Sequence, residues 1–288
     1  MTDQNLLAAI LRTDLVAFIQ KTFATLTPNK TLFMNWHIRA IAYYLERVRR
    51  GELKRLIINV PPRSLKSIIG SVGFPAFVLG RDPTKRVLCV SYSQSLAIDH
   101  ANMFRIVVNS PWYRRAWPSM RLSPIKNTET KTQTTQHGFR LATSVDGTLT
   151  GRGGDIIIID DPLKADDANS KLKREAVNTW YANTLLSRLD NKQEGAIIVI
   201  MQRLHQDDLV GHLLRSDDEE WHQLILPAIA EVDDSIPLSY DHAHYRPVGD
   251  VLNPAMNRER FSITSNARSV LTCSRLSISK HLFRRAAR

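Results

Sequence analysis

Two short clusters in this chain carry side chains that could do chemistry: Lys66-Ser67, closing the stretch Leu56-Ile-Ile-Asn-Val-Pro-Pro-Arg-Ser-Leu65, and Asp160-Asp161, closing Ile156-Ile-Ile-Ile159. An apolar, β-branched run that breaks at prolines and delivers a lysine and a hydroxyl suits a buried strand entering a phosphate-binding loop. Backbone N–H groups in such a loop point inward at an anion, and the helix that follows adds its positive N-terminal end. In that reading Lys66 reaches the β- and γ-phosphates of a nucleotide and the Ser67 hydroxyl holds Mg²⁺. Asp160 holds the same ion through water, while Asp161 orients or deprotonates an attacking water. The plainer alternatives are a strand, turn and solvated lysine in the first stretch, and acids that cap a loop or helix in the second.

The usual pattern G-x-x-x-x-G-K-[ST] has glycines where this chain has Val60 and Leu65. Glycine frees φ and lets the backbone approach a phosphate, so Leu65 is a real departure. Pro61 and Pro62 have no N–H to donate, and a cradle must therefore begin at Arg63 and run through Ser64 and Leu65.

Positioning these groups requires strands that alternate with helices. Buried strands are expected at Leu56–Val60, Arg86–Tyr92, Phe139–Thr143, Ile156–Ile159 and Ala196–Met201. Helical spacing runs through Leu7, Leu11, Leu15, Phe18 and Ile19 as one amphipathic helix, and through Ile38 to Val48 as a second that stops at Gly51. A helix over Ile68–Leu79 should kink or end at Pro75, and another spans residues 94–109. Pro111–Pro124 and Asn127–Gln136 read as loops, as does the stretch Asp146–Gly154 with its four glycines. Such alternation, with the acidic pair at the end of a central strand, predicts an α/β P-loop nucleotidase with a mainly parallel sheet flanked by helices. It fits the additional-strand class, in which an acid beside the Mg²⁺ aspartate positions water. Asn35-Trp36-His37 sets ring side chains upstream of the loop, where Trp36 and His37 suit either contact with adenine or simple packing. Gln202, at the end of a later strand, could sense the γ-phosphate. His205, Asp207 and Asp208 superficially resemble metal ligands, but a helix cap by Asp207 or Asp208 is the better explanation.

At 288 residues and 43% hydrophobic the chain can bury a full core. Its two cysteines make neither a disulfide framework nor a metal knuckle, which sets a reducing, cytoplasmic expectation. The uncharged stretch Ser67–Gly80 is too short to span a membrane, and the N-terminus lacks a basic region ahead of its apolar residues. Of the net charge of +11, residues 258–288 carry +7 from eight Lys/Arg against Glu259, leaving +4 for residues 1–257. The body is mildly basic and the tail dominates, which weakens a nucleic-acid reading drawn from charge alone.

Taken in order, several segments resemble the ATPase domain of the phage terminase large subunit, the motor that packages DNA into tailed-phage heads. They are Ile57–Ser67, Thr148–Asp155, Ile156–Lys164, Trp180-Tyr181, Arg203–Gly211 and Leu226–Ile229, within about residues 30–256. The resemblance implies that Arg63 and Lys66 contact phosphates, that Asp160 holds Mg²⁺ and that Asp161 is the catalytic carboxylate. It makes Arg152 a candidate arginine finger acting across a subunit boundary, a device worth about 10³–10⁵ in rate; a solvated loop arginine is the alternative. Leu65, Gln202 and Leu204 depart from residues common in that family, Gly, Thr or Ser, and Trp respectively.

The implied activity is Mg²⁺-dependent ATP hydrolysis that drives double-stranded DNA into a prohead. The implied partners are DNA, the portal protein, the terminase small subunit and further copies of the chain in a ring, with a monomer when free. Expected organisation is N-terminal helices over 1–50, an ATPase domain over 51–256 and a basic tail over 257–288 that reads as disordered or aberrant. Two-metal cleavage needs several carboxylates, and after Asp250 only Glu259 remains, so the family's nuclease half is expected to be absent. A defective prophage remnant that binds nucleotide or DNA without useful turnover, and a P-loop helicase, are the competing readings.

Overall fold

Apolar residues on the central strands divide by parity. Leu56, Ile58, Val87, Cys89, Ile156, Ile158, Ile198 and Ile200 face one core, and Ile57, Leu88, Val90, Ile157, Ile159, Ile197 and Val199 face the other. A strand must show this when both of its faces are covered, since successive side chains alternate across the sheet. In the computed structural model, which describes residues 3–254 apart from 148, 150, 217 and 218, eight strands form one sheet. The expectations for the tail lie outside the described residues.

The strands are β1 (Arg55–Asn59), β2 (Arg86–Ser91), β3 (Leu122–Asn127), β4 (Lys131–Thr134), β5 (Phe139–Ser144), β6 (Ile156–Asp160), β7 (Ala196–Met201) and β8 (His222–Ile225). Their order is β3-β4-β5-β2-β6-β7-β1-β8. All neighbours from β5 to β8 pair in parallel, and β3 and β4 extend that edge antiparallel. This is a mixed α/β fold with a mainly parallel sheet, as expected. In the sheet it is β7 that stands between β1, which leads into Lys66, and β6, which ends at Asp160. An antiparallel pair, β9 (Asp234–Pro237) and β10 (Ala243–Arg246), stands apart from the sheet.

One core packs under α1 (Asp3–Thr13), α2 (Leu15–Leu26), α3 (Trp36–Arg49), α4 (Phe74–Arg81), α5 (Gln94–Asn109) and α6 (Pro111–Ala116). The other packs under α7 (Lys171–Trp180), the turns that follow it, and α8 (Leu209–Leu213). Each fully buried Leu or Ile contributes about 1.5–3 kcal/mol, so the two covered faces supply most of the fold's stabilisation.

Several expected elements differ. The helix anticipated through Leu7 to Ile19 is two, because Asp14 turns the chain and caps α2, its Oδ1 accepting from the N–H of Val16 (2.7 Å) and Ala17 (3.1 Å). The helix expected over Ile68–Leu79 divides just ahead of Pro75. The loop after β1 leads into a π-helical turn, Ile68–Gly73, and Pro75 follows in the first turn of α4; its missing N–H leaves the Ser71 carbonyl to the Arg140 side chain, which donates to it at 3.2 and 3.0 Å. The stretches read as loops contain α6, started by Pro111, and the edge strand β3 with its neighbour β4, whose polar sequences hide their pairing.

Candidate active site

The loop between β1 and the π-helical turn bends sharply at residues that are not glycine. Arg63 and Leu65 adopt φ of 62° and 61°. This left-handed region costs an L-residue about 1–2 kcal/mol. Alternating left-handed residues of this kind turn successive N–H groups to one side, the geometry of an anion nest. Ser64 steadies the bend by donating its hydroxyl to the Pro61 carbonyl at 2.7 Å.

Lys66 is buried, and its Nζ lies 2.9 Å from Asp161 Oδ2. The Ser67 hydroxyl donates to Asp160 Oδ1 at 3.2 Å, and Ser71, one turn on, donates to Asp160 Oδ2 at 2.8 Å. Asp161 too is left-handed, at φ 45°; its N–H bonds to the Ile200 carbonyl, and its Oδ1 accepts from the Gln202 N–H at 3.2 Å. Side chains separated by about ninety residues in sequence thus converge at the carboxyl ends of β1, β6 and β7, where open α/β sheets place ligands.

Burial, then the neighbouring Asp161 charge, pushes Asp160 up to about 6, against the opposing pull of Ser71, Ser67 and Lys66. A carboxylate held this way gains from a cation. The oxygens of Ser67 and Asp160 suit Mg²⁺, which takes hard oxygen ligands, keeps several waters and needs only one or two protein groups beside phosphate. Among the described residues no group of three or more His, Cys, Asp or Glu could hold a metal without such help.

Beside the loop opens a cavity of about 570 Å³, mostly apolar, lined by Phe23, Leu32, Phe33, His37, Arg63 and Leu65 among others. His37 is 2% exposed, and burial lowers its pKa to about 4, so the ring is neutral near pH 7. The Ser64 backbone on its flank favours protonation, yet both ring nitrogens lack a hydrogen-bond partner among the described residues. Trp36 does not line this cavity. Its ring stacks on His244 at 4.3 Å between centroids, with the Arg246 guanidinium 5.5 Å from its centroid. The reading of Trp36 as packing therefore fits its surroundings.

Arg152 is exposed on the loop that precedes β6. It belongs to a basic group with Arg86 and Lys126 around Lys131, whose pKa is lowered by burial and then by these cations. Arg152 precedes the amino end of β6 whereas Asp160 closes its carboxyl end, roughly 15 Å away along a five-residue strand. Asp208 caps α8, its Oδ1 accepting from the Gly211 N–H at 3.0 Å, and binds Arg203 at 3.0 Å, so the His205–Asp208 cluster is a helix cap.

Sequence reasoning missed a buried polar layer behind Asp160. His100 of α5 places Nδ1 3.8 Å from Asp160 Oδ2, and burial, followed by Arg140, lowers its pKa to about 4. Arg140, fully buried on β5, donates from Nε (3.2 Å) and Nη2 (3.0 Å) to the Ser71 carbonyl. Ser71 was legible as the residue one helical turn beyond Ser67. Nothing local marks His100 or Arg140, because the topology alone brings them there.

No protein-family model matches the chain, and no curated protein matches it. Among solved structures, the HK97 bacteriophage large terminase is 15% identical over 79% of this chain and 44% of its own, with a TM-score of 0.49. An ATPase-domain mutant of the Thermus phage P74-26 large terminase is 15% identical over 73% of this chain and 85% of its own, at a TM-score of 0.44. S. cerevisiae Dbp5, bound to Gle1 and IP6, is 11% identical over 65% and 46%, at 0.39. The chain spans less than half the length of the HK97 protein. It is similar, at low identity, to phage large-terminase structures.

Proposed function

We propose that this chain is an ATP-hydrolysing motor subunit of the terminase type, moving double-stranded DNA in phage packaging. The observation that carries the reading is the meeting of Lys66 with Asp161 at 2.9 Å and of Ser67 with Asp160 at 3.2 Å, on strand ends separated by β7. Lys66, Ser67, Arg63 and the loop N–H groups from Arg63 onward bind the triphosphate, and the cavity beside His37 takes the base. Ser67 and Asp160 would hold Mg²⁺, which neutralises phosphate charge when bound.

Asp161 takes the proton of the attacking water. In the arrangement seen, Lys66 occupies its Oδ2, so phosphate binding has a second effect: it draws the ammonium away and frees the carboxylate as a base. The Gln202 N–H on Oδ1 keeps that carboxylate aimed while Lys66 moves. Gln202 thereby links the base to the chain leaving β7, a route by which hydrolysis can be felt elsewhere. Arg152, at the other end of β6 from Asp160, would act on phosphate in a neighbouring copy, as a ring provides. DNA, the portal and a small subunit are the partners this reading implies.

Purified chain, mixed with portal and DNA, tests the proposal. Lys66→Ala should abolish turnover, and Asp161→Asn should lower it about 10²–10⁴-fold while leaving ATP binding intact. DNA-stimulated hydrolysis unchanged in Lys66→Ala refutes the assignment. ATP binding without turnover in the wild-type chain would favour an inactive remnant.

A further inference from the structure

A second cavity, of about 550 Å³, lies between α7 and α8 and shares no lining residue with the first. That volume is typical of small-ligand sites, which span about 300–1,000 Å³. Lys171, Arg174 and Asn178 enter it from one face of α7 at helical spacing, and His212 and Arg215 come from α8 and the turn after it.

Arg174 is the group that asks for a ligand. It is 8% exposed, its Nη1 donates to the Ala168 carbonyl at 2.7 Å, and its Nε is buried with no partner. No carboxylate among the described residues forms an ion pair with it. The two acids in the wall are already engaged, Asp207 by Arg215 at 3.0 Å and Glu175 by Lys171 at 3.7 Å. Leaving a buried cation uncompensated is strongly unfavourable, and the planar guanidinium fork matches an oxyanion better than water does.

We infer that this cavity binds a phosphate oxyanion, gripped by Arg174 with Lys171 and Arg215 at its rim. The phosphate comes either from a nucleic-acid backbone or as the free ion. α7 follows β6, which ends at Asp160-Asp161, and α8 follows β7, which leads to Gln202. A phosphate held between the two helices is tied by both connections to the proposed hydrolysis site. In this respect the inference deepens the motor reading and rests on it.

The test uses the full chain and its Arg174→Gln and Lys171→Gln variants, with folding checked by circular dichroism. Three ligands are titrated: a short DNA duplex over a range of salt, inorganic phosphate, and ATP. Arg174→Gln should weaken duplex binding about tenfold or more and lower the salt slope by about one, with ATP affinity unchanged. Lys171→Gln should have a smaller effect in the same direction. A change confined to inorganic phosphate identifies the free ion as the source and still supports the site. Should Arg174→Gln fail to fold, Lys171→Glu carries the test, because that side chain is 81% exposed; several-fold weaker binding is expected. Folded variants that bind duplex and inorganic phosphate as the wild type does overturn the inference. If ATP binding is normal in that case, only the second site falls; absence of ATP binding in the wild-type chain sinks the motor reading instead.

Discussion

Replacing Asp160 with asparagine should stabilise the metal-free protein while destroying its activity. Asp160 is 1% exposed, and burial beside Asp161 holds its carboxyl at about 6, against 3.8 for a free aspartate. Between those values the folded chain keeps a proton that the unfolded chain has released. Stability contributed by this group therefore falls as pH rises through about 4 to 6, and the whole penalty is present above that window. A shift of about two units at 1.36 kcal/mol each makes the penalty about 3 kcal/mol. The substituted amide would carry no charge, and its oxygen could still accept a hydrogen bond from Ser67 or Ser71. In chelator at about pH 8 the variant should melt roughly 6 °C or more above the wild type, since each kcal/mol moves a domain of this size about 2–4 °C. At about pH 4 the difference should shrink towards zero. Adding Mg²⁺ and ATP should reverse the order, because only the wild type gains from the ligand. Thermal melts across pH, with and without ligand, read all three. An Asp160→Asn variant that is less stable at pH 8, or a difference independent of pH, would refute the electrostatic account of Asp160.

Three further outcomes follow from the same geometry. Leu65→Gly removes a left-handed strain of about 1–2 kcal/mol but adds about 0.5–1 kcal/mol of unfolded-state freedom and gives up half-buried contacts, so stability should stay within about 1 kcal/mol while ATP binds more tightly; urea melts and ATP titration check it, and weaker ATP binding would count against the nest. His37, lowered to about 4, binds its proton in the unfolded chain first, so stability is lost as pH falls from about 6.5 to 4, by up to about 3 kcal/mol. His37→Gln should flatten that acid limb in urea melts, and an unchanged limb would show the ring is not the cause. Arg152→Ala and Asp161→Asn chains, each impaired alone, should regain part of their DNA-stimulated turnover when mixed, whereas no recovery would place Arg152 outside any neighbour's site.

What the sequence revealed and what it concealed divide along physical lines. The runs Leu56–Val60, Ile156–Ile159 and Ala196–Met201 are continuous and β-branched, so both their existence and their double-sided burial were legible, and with them the strand ends where Lys66 and Asp160 stand. The edge strand β3 and its neighbour β4 were not, because β3 is largely exposed, β4 buries polar Thr132, Gln133 and Thr134, and the Thr, Ser and Pro residues of the pair mimic a loop. The split between α1 and α2 was concealed because apolar spacing continues across Asp14, and only the cap reveals the break. Leu65 was legible as an anomaly in the loop, but not its resolution, which is that Arg63 and Leu65 take the strained conformations glycines would otherwise supply. The polar layer of Ser71, His100 and Arg140 depends on α5 packing over the Ile68–Gly73 turn and on β5 standing two places from β6 in the sheet, a matter of topology that no local pattern encodes. For Trp36 the residue type could not choose between adenine contact and packing, because the ring it stacks on, His244, lies about two hundred residues away.

The most direct test is a structure of the chain with Mg²⁺ and a non-hydrolysable ATP analogue. The account predicts the γ-phosphate within hydrogen-bond distance of Lys66, the ion on Ser67 and on Asp160 or its water, and Asp161 released from the lysine and facing the γ-phosphate. A triphosphate bound elsewhere, with Lys66 still joined to Asp161, would contradict it.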